Sequence, residues 1–467
     1  MATWLVILWG RVLAAPQKGL FACLGCITGL VLITKAEAIL AAGVASLLGW
    51  CFVFHFHRSS WRRLPGWAGT YAASSLGVLL LTMLLLAVPL GLGGACKALW
   101  FGWIANFSGK GLEVPFYDNV MGVDRPIENL FTMLVSLLGC CCILAAALSL
   151  DLGLFGNRKE RRPAWLLGAV LFAIVAALQK SWTFPLLVKG GPLPFICAAA
   201  LVAFTRMALS KSSSRAEAHA NAGLALWSAF SLFLLAKILL NPLVFMFGFA
   251  LAVPATLLFA CLLIQYLPKA SGRLGNGRLL RFLVLALLVA DACFYVKISA
   301  DNLAKKTFPV GRGKDIIITR PDFYTSGPGG RQIQALLNVI EASVKPGETL
   351  LVLPEGIIIN YLSRTINPTP YMNFMPTEML LFGEDKVLEA IRAAKPDFIA
   401  YVPKNPAAFG TGWFGEDPNY GKEIMDWVKG SYKSVWQLAD PRLPGPQYTL
   451  VLYQAIPFSP VFLEKRS

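Results

Sequence analysis

The feature that most constrains this chain is a recurring apolar run of roughly 17 to 25 residues, long enough as a helix to cross about 30 Å of hydrocarbon. Such runs fall near 38–56, 71–92, 127–150, 164–180, 192–208, 222–240, 245–266 and 279–297, with shorter stretches at 20–34 and 4–15. They stop there. Of the 467 residues, 56% are hydrophobic and 15% charged, and the mean hydropathy is +0.60. That leaves too little polar surface to cover a soluble globule, which excludes an ordinary soluble enzyme. The expectation is an α-helical polytopic membrane domain over 1–299, with about nine to ten spans, followed by an α/β domain over 300–467. No charged leader with a small-residue cleavage site precedes the first run, so no removable signal peptide is expected.

A net charge of +16 would point to nucleic acid if it were evenly spread. It is not: residues 1–299 hold 24 Lys and Arg against 9 Asp and Glu, whereas 300–467 hold 18 against 17. The excess sits in alternate loops. Arg58, Arg62 and Arg63 lie in one, Arg158, Lys159, Arg161 and Arg162 in the next, then Lys211 with Arg215, then Lys269, Arg273 and Arg278. The intervening loops are poorer in cations, so the positive-inside rule puts 35–37, 93–126, 181–191, 241–244 and the whole of 300–467 on the extracytoplasmic side. The expected location is a bacterial inner membrane, the expected partner the lipid bilayer, and nucleic acid is set aside.

All ten cysteines lie between Cys23 and Cys293. Cys140, Cys141 and Cys142 are consecutive in an apolar run and read as small hydrophobes, because a metal site wants spaced ligands and a nearby histidine. The tail has neither cysteine nor histidine. A zinc site, a Cys-His pair and a Ser-His-Asp triad are therefore excluded there. Its β-prone runs at 349–353, 397–402, 432–438 and 448–453 alternate with helical patterns at 331–344, 383–394 and 420–430, which predicts α/β layering.

Several places carry candidate chemistry. Lys35 and Glu37 end an apolar run at the predicted outer surface, where a lysine meets lipid phosphate or simply snorkels. The outer loop 113–128 gathers Glu113, Asp118, Asp124 and Glu128 around Arg125. A carboxylate there takes a proton from a sugar hydroxyl or holds a divalent cation, the one cofactor these residues suggest, and an arginine forks onto phosphate. The bland alternative is a polar loop in which Asp124-Arg125-Pro126 starts a helix. Lys180, Lys237 and Asp291 are ionisable groups within spans; snorkelling or pairing accounts for them as readily as function. Gly327-Pro-Gly-Gly330 and Gly311-Arg-Gly-Lys314 read as turns rather than phosphate cradles, the latter with Asp315 where a hydroxyl residue belongs. In the tail, a strand delivers Pro354-Glu355-Gly356, followed by a loop with Asn360, Tyr361, Arg364, Asn367 and Tyr371. That set suits a sugar or a lipid-linked phosphate, or else packs the loop in place.

Two strings, Gly-Leu-Val-Leu-Ile-Thr-Lys-Ala-Glu (29–37) and Leu-Pro-Glu-Gly through Asn-Pro-Thr-Pro-Tyr (353–371), resemble segments of the C-type superfamily of polytopic membrane glycosyltransferases. That class includes protein mannosyltransferases and lipid A aminoarabinose transferases. The resemblance implies a polyprenyl-phosphate-linked sugar donor and transfer to an envelope glycan, lipid or protein at the extracytoplasmic face. In that family the catalytic acid precedes the Lys-Pro-Glu segment in a long first outer loop. Here no Asp or Glu lies in residues 1–20, so the expectation is a shortened member, or a chain whose true start lies upstream, and the family's base has no counterpart. Asp118 and Asp124 are then the catalytic candidates. Lys35, Arg125 and Arg364 are the phosphate binders, and Glu37, Glu355, Asn360, Tyr361 and Tyr371 the other substrate-binding candidates; no metal ligands are assigned. The rival reading is a non-catalytic envelope assembly or export component with a partner-binding tail. A transporter would want inverted repeats, and none is detected.

Overall fold

The computed structural model of the chain describes residues 2–34, 36–108, 113–155, 190–244, 248–271, 278–322, 327–439 and 448–456. Lys35, Lys180, the predicted span 164–180, the cationic loop residues 158–162 and Arg273 lie outside the described residues, as does the side chain of Asp291. The chain forms two compact units, Met1–Ile104 with Asp118–Val296, and Ala105–Tyr117 with Lys297–Ser467. Part of the predicted outer loop thus belongs to the tail's unit.

The first unit is helical: α1 (Ala2–Ala14), α2 (Lys18–Leu32), α3 (Ala36–Phe56), α4 (Leu64–Ser108), α5 (Pro115–Met121), α6 (Pro126–Phe155), α7 (Leu193–Ala208), α8 (Arg215–Leu234), α9 (Phe249–Cys261) and α10 (Arg278–Ala304). Every predicted run within the described residues is a helix. Four stretches are long and apolar enough to cross a membrane: Glu37–Phe56, Arg58–Phe101, Arg215–Ile238 and Phe249–Lys269. This corrects the expected nine to ten for the described residues. For α1, α2 and α7 the physical reason is length: at about 1.5 Å per residue, their 13, 15 and 16 residues rise less than the hydrocarbon thickness.

Aromatic packing and small residues close this unit. Trp9 is fully buried, edge-on to Trp50 at 5.6 Å, while Phe21 stacks on Trp50 at 5.0 Å and on Trp67 at 5.3 Å. Gly25 and Gly29, four apart on α2, let that helix meet α4. A Cβ on Gly25 would lie 2.2 Å from the Tyr71 carbonyl oxygen, and one on Gly29 2.7 Å from that of Ser75. Ser75 Oγ uses the approach to donate to the Gly25 carbonyl at 2.8 Å.

The second unit is a three-layer α/β/α sandwich. Its sheet runs in the order β3 (Leu350–Pro354), β4 (Phe398–Val402), β6 (Thr449–Ala455), β5 (Tyr432–Ala439), with β3 and β4 parallel and the other pairs antiparallel. A small hairpin, β1 (Phe308–Val310) and β2 (Ile317–Thr319), precedes it. Alternation along the strands feeds two cores. Leu351, Leu353, Ile399 and Tyr401 face α13 (Pro376–Phe382), α14 (Glu384–Ala394) and α15 (Lys422–Ser431). Leu350, Val352, Phe398 and Ala400 face α11 (Gly330–Ser343) and α12 (Ile357–Ser363). The strands and the three longer helices stand within a residue or two of their predicted places. The segment after Gly356, expected as a loop, is instead the helix α12. Its Ile357-Ile358-Ile359 start is β-branched and a poor advertisement for a helix.

Candidate functional site

In the helical unit, α3 and α8 run antiparallel, because Glu37 pairs with Lys237 at one end and Phe56 meets His219 at 4.8 Å at the other. Beyond Lys237 the chain reaches the acid-rich turn. Asn241 Nδ2 donates to the Asn119 carbonyl at 2.8 Å, and the Leu240 N–H donates to the Met121 carbonyl at 3.3 Å. Gly122, at φ +78, makes this seat possible, since a Cβ there would lie 2.6 Å from the Leu240 carbonyl carbon. Gly190 abuts Pro242 in the same way. Residues 119–122, Gly190 and 240–242 therefore gather just beyond Lys237.

Within the turn the two catalytic candidates differ. Asp124 accepts from Asn119 Nδ2 at 3.3 Å and from Asn129 Nδ2 at 3.4 Å, and Asn129 also holds the Gly122 carbonyl at 2.8 Å. Its carboxylate is occupied in shaping the turn. Asp118 is exposed and makes no side-chain hydrogen bond among the described residues. Arg125 reaches Glu128 at 3.7 Å with both side chains mostly exposed. Glu37, proposed as a ligand, is committed to Lys237. Sequence reasoning missed Asn119, Asn129 and Asn241, amides whose role comes only from the packing of turn on turn. Among the described residues no three His, Cys, Asp or Glu side chains converge on a cation site, and the ten cysteines are free.

In the tail unit, a cavity of about 960 Å³ opens at the carboxyl ends of β3 and β4, where open α/β sheets commonly bind ligands. Parallel pairing explains its polar floor: Pro354 lies opposite Val402, so Glu355 and Lys404 leave adjacent strands together and join at 2.8 Å. Asn373, bridged to Glu355 through the backbone, lines the same space and keeps a buried Oδ1 without a partner. Lys306 and Arg320 add cations to the wall. The first amides of α11 do not, because Gly330 and Arg331 donate to the carbonyls of Arg320 and Pro321 at 2.7 and 3.0 Å. The turn expected at Gly327–Gly330 is not seen: Gly329 is extended and leads straight into α11, whose first amides are already engaged.

Of the five tail residues singled out as substrate binders, only Glu355 lines this cavity. Asn360 is buried and staples α12 to β3, donating to the Leu350 carbonyl at 2.8 Å. Tyr371 packs against Phe382 with ring centres 5.1 Å apart, at the edge of the core. Tyr361 donates to Asp315 at 2.7 Å, Arg364 pairs with the same carboxylate, and its guanidinium lies 4.6 Å above the Tyr361 ring. These three form an exposed cluster apart from the cavity lining. Lys404 was missed, although Val402-Pro-Lys404 after a predicted strand mirrors Leu353-Pro-Glu355 and offers a readable signal.

Around the site the tail's polar groups are firmly held. Burial pushes the Tyr401, Tyr420 and Tyr432 phenols well above their ordinary range, with Glu416 adding at Tyr401 and Asp397 at Tyr432. Tyr420 and Tyr432 donate to the Phe374 and Pro396 carbonyls at 3.0 and 2.7 Å. The backbone amides of Gly412 and Asn419 hold the Asp417 carboxyl below the usual carboxylate range. Comparison with protein-family models, with curated protein sequences and with solved structures returned no match for this chain.

Proposed function

We propose that this chain is a polytopic membrane glycosyltransferase that moves a sugar from a polyprenyl-phosphate donor to an envelope acceptor at the extracytoplasmic face of a bacterial inner membrane. In this reading the long apolar helices of the first unit span the bilayer and the tail lies outside. The observation that supports it most is the gathering of the acid-rich turn, Asn241 and the Glu37–Lys237 pair at one end of the helical unit. Those segments share a side on charge grounds alone. Asp118 is the general base, taking the proton from the acceptor hydroxyl as the sugar's bond to phosphate breaks. Asp124 holds the turn that presents it, and Arg125 faces the departing lipid phosphate.

A transfer assay with the full chain in nanodiscs and a polyprenyl-phosphate sugar tests this. Asp118→Asn should lose about 10² to 10⁴ of the turnover, while Asp124→Asn should lose less turnover and lower the unfolding temperature. Unchanged turnover in both variants overturns the assignment.

One observation favours the rival reading of an envelope assembly component: Glu37 and Asp124 are committed to structural contacts, and a cavity of about 960 Å³ lies in the tail. Stable capture of one envelope partner through the tail, with no transfer by the full chain, would support it.

A further inference from the structure

The β1–β2 hairpin joins three features that its small size does not require. A run of three exposed isoleucines, Ile316, Ile317 and Ile318, leads into its second strand, with Ile318 about half exposed at 52%. Ile317 and Ile318 line the cavity mouth together with Ile357, Ile358 and Met372, which are also exposed, so the apolar surface is continuous. Contiguous apolar surface of this kind marks an interaction site.

Charge selects the occupant. Residues 305–320 carry Lys305, Lys306, Arg312, Lys314 and Arg320 against the single acid Asp315, whereas the tail from 300 onward holds 18 bases and 17 acids. The tail's positive charge is therefore concentrated in one hairpin, and outside it acids outnumber bases. This hairpin directly follows α10, whose apolar run is a predicted span; only Lys305, Lys306 and Thr307 separate Ala304 from β1. Basic residues beside apolar ones, close behind a span, meet anionic headgroups and the acyl boundary at once.

We infer that the β1–β2 hairpin is a membrane foot: Ile316–Ile318, with Ile357 and Ile358, rests in the interface of a bilayer containing anionic phospholipid, and Lys305, Lys306 and Lys314 hold the headgroups, Arg312 being paired with Glu341 at 2.6 Å. The cavity mouth then faces the headgroup layer. The inference needs the membrane reading of the helices but neither the sugar chemistry nor the side of the bilayer on which the tail lies.

The test places the photo-crosslinking residue p-benzoylphenylalanine at Ile318, Ile358 or Val435 of the full chain; Val435 is exposed on β5, away from the hairpin. Each variant is reconstituted in nanodiscs of phosphatidylcholine with or without phosphatidylglycerol. The exposed positions accept the probe, and unfolding midpoints matching the parent check that. Lipid adducts at 318 and 358 should exceed those at 435 by about fivefold or more when phosphatidylglycerol is present, and fall with added salt or with Lys306→Glu and Lys314→Glu. Adducts no greater than at 435 overturn the foot. Adducts indifferent to headgroup charge overturn the choice of an anionic surface, and crosslinks to protein instead of lipid overturn the occupant. A chain that stays out of nanodiscs would sink the membrane reading itself, a result distinct from an embedded chain without adducts.

Discussion

Glu37 and Lys237, 200 residues apart, form an ion pair that joins the first turn of α3 to the extension of α8. The carboxylate is mostly buried and the ammonium about one-third exposed, so the pair stands between the weak surface class and the costly buried one. Lys237→Glu should destabilise the chain by about 1–3 kcal/mol. The Glu37→Lys, Lys237→Glu double variant should recover part of that in a thermal-unfolding cycle. Additive losses would show that the two side chains do not depend on each other.

The α2–α4 contact makes a sharper prediction. Leucine at position 25 must displace the Tyr71 backbone, so Gly25→Leu should cost about 1–3 kcal/mol through overpacking. Gly43, with no atom near its missing Cβ, should accept alanine with little change. Melting temperatures of the two purified variants, side by side, measure the difference.

Asn360 and Arg364 separate stapling from surface chemistry. Asn360→Ala removes the buried donor to the Leu350 carbonyl and should cost about 1–3 kcal/mol. Arg364→Ala breaks an exposed pair and should cost no more than about 1 kcal/mol. Denaturant unfolding followed by a tail-specific probe gives both numbers, and reversed ranks would contradict the assignment.

Burial of Tyr401, Tyr420 and Tyr432 sets an alkaline limit. Their folded-state pKa values are raised, so their contribution is whole below the ordinary phenol value of about 10 and is lost as pH rises above it, when the unfolded chain ionises first. Tail stability should therefore fall above about pH 10, with a shallower fall in Tyr420→Phe. That variant should also lose about 0.5–1.5 kcal/mol at neutral pH with its hydrogen bond to Phe374. A pH series of unfolding midpoints reads both effects.

The fold was more legible than the site. Apolar runs and β-prone runs are one-dimensional signals, and residues such as Leu350–Pro354 or Leu193–Ala208 carry them in full. Pairing is not one-dimensional. Nothing near Glu37 announces Lys237, and Asn129 looks like any helix-start amide until Gly122 and Asp124 fold against it. In the tail the polar string after Gly356 drew attention, but its amides and rings mostly fasten that segment to β3, to Asp315 and to Phe382. The cavity is instead built from residues on separate strands whose proximity follows from register. Lys404 is the instructive case: its Val402-Pro-Lys404 string echoes Leu353-Pro-Glu355 in the sequence, but its meeting with Glu355 follows only from β4 lying parallel to β3.

The central claim is that the acid-rich turn, the Glu37–Lys237 pair and the tail all face outward from a helical membrane unit. It is tested most directly by fusing alkaline phosphatase or green fluorescent protein after Ser467 in bacterial cells. The account predicts an active phosphatase and a dark fluorescent protein. A bright fluorescent fusion with an inactive phosphatase would place the tail in the cytosol and contradict it.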